Sequence, residues 1–508
     1  MIILNAFRMK SKIGILLSVL FFCISRIASQ ETAQVEILWS DEAILEFVEN
    51  NPVKRLLGHV KLRHKGTLFF CDKANIYHTN NVDAEGNIRI VRPKGKTITG
   101  NILNYYSDQK LALIRDNVVL SDKKSKLYTP DMTYDMNIET AYFTNGGKVV
   151  NDSTTITSKH GTYYTKTNQA FFKFDVQLTN PKYKLKSDTL EYNTKQKRNY
   201  FYQATTIEND SGYIFCNRGW YDEATNQSSF GRGTIIYNPP QWIMTDSIFY
   251  DKKNELSRIY KTFEYHDTAT KVHIFGDTAD YYSKEKHILA YNRPLLVYET
   301  DNKNPLFIRA EILESKELEG KKYFYGHKKV RIYNKEFQGV CDSFDYNAQD
   351  SIMRMRVTPI SWLVDKTQIM QLTGEVIYMK LKNKNLEKVY VNQNGLIVQE
   401  EFKNYYNQIS ADTINIFMKE KKMDYMYAIK NAKSIYFAKE EPKGYLGLNN
   451  SESYRLKALF DEGKLSRIIF YLQPKATFYP TKDINLQNSR LTNFQWHIEQ
   501  KPKDDKDL

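Results

Sequence analysis

Apolar residues along this chain recur at every second position, in short runs separated by turn-forming residues. Ala170, Phe172, Phe174, Val176 and Leu178 alternate with Phe171, Lys173, Asp175, Gln177 and Thr179, which predicts five apolar groups on one face of a strand. Val60 and Leu62 stand between His59, Lys61 and Arg63, and Val330 and Ile332 between Lys329, Arg331 and Tyr333. A helix would need a period of 3.6, so the pattern predicts strands with one dry and one wet face. Asn145-Gly146-Gly147, Asn209-Asp210-Ser211-Gly212 and Asn238-Pro239-Pro240 punctuate the runs.

The runs belong to a longer repeat, in which a small or apolar residue precedes Asp and an aliphatic or aromatic residue follows some four positions on. Its clearest copies are Cys71-Asp72 with Ile76, Ser187-Asp188 with Tyr192, Thr245-Asp246 with Tyr250, Gly276-Asp277 with Tyr281, and Cys341-Asp342 with Tyr346. With weaker copies at Gly100, Asp131, His160, Asn217, Ala310, Gly374 and Asp412, the anchors follow one another every 28 to 38 residues. Such near-regular spacing means a repeat architecture in which each unit adds rungs to stacked sheets. An Asp recurring in every unit reads as a turn or bend former bonding its own backbone rather than as a site. If each of twelve units adds one strand spacing of about 4.8 Å, this part of the stack is roughly 58 Å long.

After about residue 365 the period lengthens into three hairpin-like blocks. Gly374, Ile377, Met379 and Leu381 precede Leu386, Val389 and Val391; Asp412, Ile414, Ile416 and Met418 precede Met423, Met426 and Ala428; Tyr454, Leu456, Ala458 and Phe460 precede Leu465, Ile468 and Phe470. A soft boundary near Val364 divides residues 30–364 from 365–480, and 481–508 form a closing segment with a charged, mobile tail.

Ahead of the repeats, residues 1–29 read as a cleaved signal peptide: Arg8, Lys10 and Lys12, an apolar run from Ile13 to Ile24, and a cleavage position near Ser29. This predicts export to the periplasm and, with no second long apolar run, no transmembrane helix. The net charge of +14, from 73 Lys plus Arg and 59 Asp plus Glu, points to an anionic partner. The positive charge is dispersed, as from Lys182 to Lys186 and from Lys419 to Lys422, so nucleic acid is not expected. Cys71, Cys216 and Cys341 all precede an anchor and read as small buried residues in one column, with at most one disulfide among them.

A signal peptide followed by rungs of small residue, Asp and downstream aliphatic or aromatic, preceded by strands such as Gly58, Val60 and Leu62, resembles the OstA-like family. That family includes the periplasmic lipopolysaccharide-transport protein LptA and the amino-terminal domain of LptD. The resemblance spans roughly residues 35 to 480, and Leu491, Phe494 and Trp496 resemble the end of longer family members. It implies an all-β fold, a repetitive folded-over double sheet or β-jellyroll with an apolar trough. It also implies lipopolysaccharide or a related anionic glycolipid as cargo and docking to other β-jellyroll transport proteins through open edges; since no catalytic, metal-spacing or dinucleotide motif stands out in the sequence, no cofactor, metal or enzymatic activity is expected. The residues expected to line the trough are Val60, Leu62, Phe172, Phe174, Val176, Leu178, Val330, Ile332, Ile377, Met379, Leu381, Ile414, Ile416 and Met418.

Other classes fit less well. A secreted β-helix enzyme acting on polysaccharide needs converging carboxylates, whereas Asp72 to Asp412 are spread one per unit. An outer-membrane barrel needs outward apolar positions for about 9 to 11 residues per strand, and here charges interrupt sooner. A β-repeat scaffold that binds only proteins is the remaining alternative.

Overall fold

The computed structural model describes residues 34–508 apart from 123–124, 300–303, 348, 366–367, 383–384, 441–443 and 463. The signal-peptide reading lies outside the described residues.

Extended segments of ten to fourteen residues dominate the chain up to about residue 350, and each pairs antiparallel with the segment before it and the one after it. Gln169–Asn180 pairs with Tyr183–Asn193 from Gln169↔Asn193 to Asn180↔Tyr183. Lys321–Tyr333 pairs with Phe337–Asn347 in the same way. Most strands bend sharply at mid-length, where the register slips: between Lys173 and Val176, between His327 and Val330, and between Arg115 and Val118. At these bends two consecutive residues adopt left-handed backbone, as at Asp116 and Asn117, Phe174 and Asp175, and Lys328 and Lys329. The extra residue turns the strand through a corner, so its two halves join two facing sheets. Elsewhere the corner breaks a rung into two strands, as in Thr154–Ser158 with His160–Tyr164. The 39 strands of the described residues thus form 28 rungs of a folded-over double sheet, a β-jellyroll.

Each repeat of about 30 residues supplies two rungs, an outgoing and a returning pass, rather than the single rung assumed from the spacing. At roughly 4.8 Å per rung the stack extends to about 130 Å. The ladder continues through Val364, which pairs with Ile369. Beyond it the strands lengthen to 18, 15, 19 and 18 residues in Asn385–Phe402, Tyr405–Lys419, Lys422–Glu440 and Gly444–Asp461.

The anchor carboxylates sit at the corners. Asp246 accepts the Gly233 N–H at 3.0 Å and Asp342 the Lys329 N–H at 3.0 Å. Asp72 and Asp412 accept the side-chain amides of Asn87 and Asn431 at 2.8 and 3.0 Å. The Asp is a bend former, but it ties down the left-handed corner of the adjacent rung rather than its own backbone. Cys71, Cys216 and Cys341 are buried free thiols beside these corners, and burial pushes each up to about 12.

Residues 481–508 fold back instead of projecting as a free tail. Gln371 and Gln408, both buried on the outer face of one sheet, donate to the Gln495 and Ser489 carbonyls at 2.9 Å, and accept the His497 and Leu491 N–H groups at 2.7 and 2.9 Å. Leu491, Phe494 and Trp496 close a small second core over Leu396, Val398 and Tyr406.

Candidate functional site

Between the sheets lies one apolar interior, continuous from Val35 to Ala458. Val60, Leu62, Phe172, Val176, Leu178, Val330, Ile332, Ile377, Met379, Leu381, Ile414 and Ile416 are all buried in it, and Met418 packs partly buried at its margin. Phe174 corrects the sequence reading: it is 47% exposed, at a left-handed corner, with its ring edge-on to His160. The corner at 174–175 turns Phe174 outward without changing the overall parity: Phe172 and Val176, four residues apart, both point inward as alternation requires, and only the residue midway between them points out.

Opposite the corners, the hairpin ends of the two sheets form the lips of a seam. One lip carries a tyrosine row that the sequence reading caught only in part. In register, the ladder runs Tyr105, Ala112, Tyr134, Ala141, Tyr163, Ala170, Tyr192, Asn199, Tyr221, Ser228, Tyr250, Ser257 and Tyr281. Small residues on alternate rungs leave room for each ring. The signal was present as the Asp-to-Tyr step at 188, 246 and 277, and as Tyr at 29-residue intervals from Tyr105 to Tyr250.

The hydroxyls of this row face the other lip, and polar contacts between residues about 40 apart in sequence close the seam. Tyr105 bonds His64 at 2.6 Å, Tyr134 accepts from Arg92 at 2.8 Å, and Tyr192 accepts from Asn151 at 3.5 Å. Tyr183 donates to Glu223 at 3.3 Å, its ring edge-on to Tyr221. Burial pushes the Tyr105 and Tyr192 hydroxyls up to about 12, so both remain protonated at neutral pH. Further along, Lys322 reaches across to Asp267 at 2.5 Å and Tyr265 at 3.1 Å, with Lys322 7% and Asp267 2% exposed. Burial works to raise the Asp267 carboxyl, and the Lys322 ammonium together with the Thr270 N–H and the Gln241 amide outweighs it and holds the carboxyl below its ordinary value.

The interior opens at several points along this seam. A partly open cavity of about 260 Å³ is walled by Ile207, Ile214, Phe230, Ile236, Ile243 and Ile248. Smaller spaces of about 20 and 50 Å³ lie beside Phe172 and Met418. At the two ends, Glu36–Trp39 and Glu42–Val48 pair only with Asn51–His64, and Lys464–Tyr471 and Lys475–Pro480 only with Gly444–Asp461, among the described residues. Both terminal rungs expose large apolar groups, Trp39 at 61% and Phe47 at 70% on the first, Phe478 at 52% on the last.

Fold and interior together define a class: a long antiparallel β-jellyroll with a buried apolar core, a seam closed by polar pairs and, among the described residues, an unpaired strand edge at each end. The amino-terminal part of the chain, residues 32–188, matches the family described as OstA-like protein, so the resemblance read from the sequence holds there. Among solved structures the chain is similar to LptH from Pseudomonas aeruginosa, described as the LptA homologous periplasmic component of the conserved lipopolysaccharide transport device. The identity is 15%, over 28% of this chain and 95% of that chain, with a TM-score of 0.22, a level that adds nothing to the strand ladder as evidence of fold. No curated protein matches the sequence.

Proposed function

We propose that this chain is a non-enzymatic periplasmic component that carries lipopolysaccharide or a related anionic glycolipid towards the outer membrane. The acyl chains run between the sheets, and the open terminal rungs dock neighbouring β-jellyroll proteins by strand addition. The observation that carries this reading is the single apolar interior running nearly the whole stack and opening at cavities along one seam. Each acyl methylene moved from water into it gains about 0.8 kcal/mol, so a several-chain lipid is held while equivalent rungs let it slide. The OstA-like match over residues 32–188 supports the assignment.

The test is photo-crosslinking in cells with a photoreactive residue at Phe172, Val330 or Ile332, and at Lys173 and Phe174 as outward controls. Lipopolysaccharide adducts are expected at the three inward sites and not at the controls. Adducts at none, in a folded exported protein, would favour a scaffold that binds only proteins.

A further inference from the structure

The seam is not equally closed along its length. Between the Tyr183–Glu223 contact and the buried Lys322–Asp267 pair, the cross-seam hydrogen bond seen among the described residues is a long one, from the Tyr281 hydroxyl to the Gln241 side-chain amide oxygen at 3.5 Å. The 260 Å³ cavity sits in this stretch. Its space follows from the small or turn-forming residues at the lips: Gly212 has no side chain, and Ser257 and Ser283 stand beside the rings of Tyr250 and Tyr281. The walls are branched apolar groups, while Asn209, Ser211, Asn238 and Gln241 place hydrogen-bonding groups at the mouth. An apolar chamber with a few polar groups at its entrance is the usual form of a site for an amphipathic molecule.

Beside the mouth, a second feature lies on the outer face of the sheet. Tyr213, Tyr237, Trp242, His266 and His273 are register neighbours on five successive rungs, so their rings form one row. The Tyr213 and Tyr237 rings lie 5.2 Å apart, and the Trp242 and His266 rings stack at 3.8 Å. Tyr213 and Tyr237 are 39% and 38% exposed, and Tyr213, Tyr237 and Trp242 also border the cavity. Amphipathic rings on the outer face at the rim of an apolar chamber suit a ligand with one polar and one apolar part.

We propose that this stretch is a lateral port for one glycolipid molecule, with an acyl chain in the 260 Å³ cavity and sugar rings laid against Tyr213, Tyr237 and Trp242. The proposal rests on the lipid-carrying reading and adds to it a place of entry or exit between the ends of the stack. The amides at the mouth meet the sugar hydroxyls, and the exposed Lys252, Lys253 and Lys284 in the facing hairpins meet phosphate.

The experiment uses the full chain with a photoreactive residue at Ile236 in the cavity or at Val330, buried in the apolar interior outside this stretch, incubated with purified lipopolysaccharide or with phosphatidylglycerol. In the proposed arrangement lipopolysaccharide labels both positions. The surface variant Tyr237→Ala with Trp242→Ala lowers labelling at Ile236 about tenfold, the effect of roughly 1.4 kcal/mol of lost ring contact, and phosphatidylglycerol labels Ile236 far more weakly. Reversing Lys252, Lys253 and Lys284 to Glu is an independent arm that leaves the sheets untouched and is expected to weaken the same adduct. Labelling at Val330 with none at Ile236 would overturn the port and leave the carrier reading standing. Equal labelling by both lipids, or no effect of the ring substitutions, would overturn sugar recognition. Labelling at neither position would overturn the carrier reading and the port with it.

Discussion

Phe172 and Phe174 show how far a side chain's role follows from sequence alternation. Both fit the same period of two, yet Phe172 is 2% exposed and Phe174 47%. The difference is a bulge that no alternation pattern records. Replacing Phe172 with Ala is expected to cost about 3–5 kcal/mol through the cavity it leaves, and Phe174→Ala under about 1 kcal/mol, read from urea unfolding midpoints. A comparable loss at both sites would contradict the corner. The Lys322–Asp267 pair makes a sharper case, because neither residue carried any motif and the two lie 55 positions apart. Lys322→Met leaves a buried carboxylate without its cation and is expected to cost roughly 3–5 kcal/mol, whereas adding Asp267→Leu recovers most of it. Since the folded Asp267 carboxyl lies below the ordinary carboxylate value, its contribution is complete above that ordinary value and is lost as pH falls through the lower folded one. The wild type therefore loses this increment only in strong acid, and the double variant, having no such carboxyl, lacks that part of the acid dependence.

At the scale of the strand, much was legible because the determinants are local. Alternation, turn residues and the recurring Asp identify strands, hairpins and the corner positions, and the buried inward residues other than Phe174 follow from them. What was not legible depends on how one rung lies on another. The contacts across the seam join residues about 40 apart, a stagger set by the corner bulges and visible only once both lips are built. The tyrosine row sits between these cases, since its 29-residue spacing is in the sequence while its partners, His64, Arg92 and Asn151, keep the spacing but share no residue type. Corner and strap each carry a prediction. Asp342→Ala removes the acceptor of the Lys329 N–H at a left-handed corner and is expected to cost about 1 kcal/mol in denaturant unfolding. Ending the chain at Pro480 strips the cover from Leu396, Val398 and Tyr406 and leaves the buried Gln371 and Gln408 without partners in 481–508. Increased binding of an apolar dye and faster amide exchange from Gln368 to Leu448 are the expected readouts, with exchange from Thr67 to Tyr134 unchanged.

That independence of distant rungs is a property of the whole molecule. Each rung touches its neighbours and, across the seam, rungs a few places along, so stability is close to a sum of local interfaces and the shape is set by the number of rungs. The same logic fixes the overall dimensions, because a stack whose repeats contribute two passes each is twice as long as one whose repeats contribute one. A rod of 28 rungs at about 4.8 Å is about 130 Å long and has a radius of gyration near 38 Å. A compact globule of the same chain length would have a radius of gyration of about 23 Å. Small-angle X-ray scattering of the purified protein separates these values without any labelling. A radius of gyration in the upper thirties with a maximum dimension near 130 Å is the expected result. A value near 23 Å would mean that the rungs do not form one extended stack, and a continuous path for acyl chains between Val35 and Ala458 would lose its physical basis.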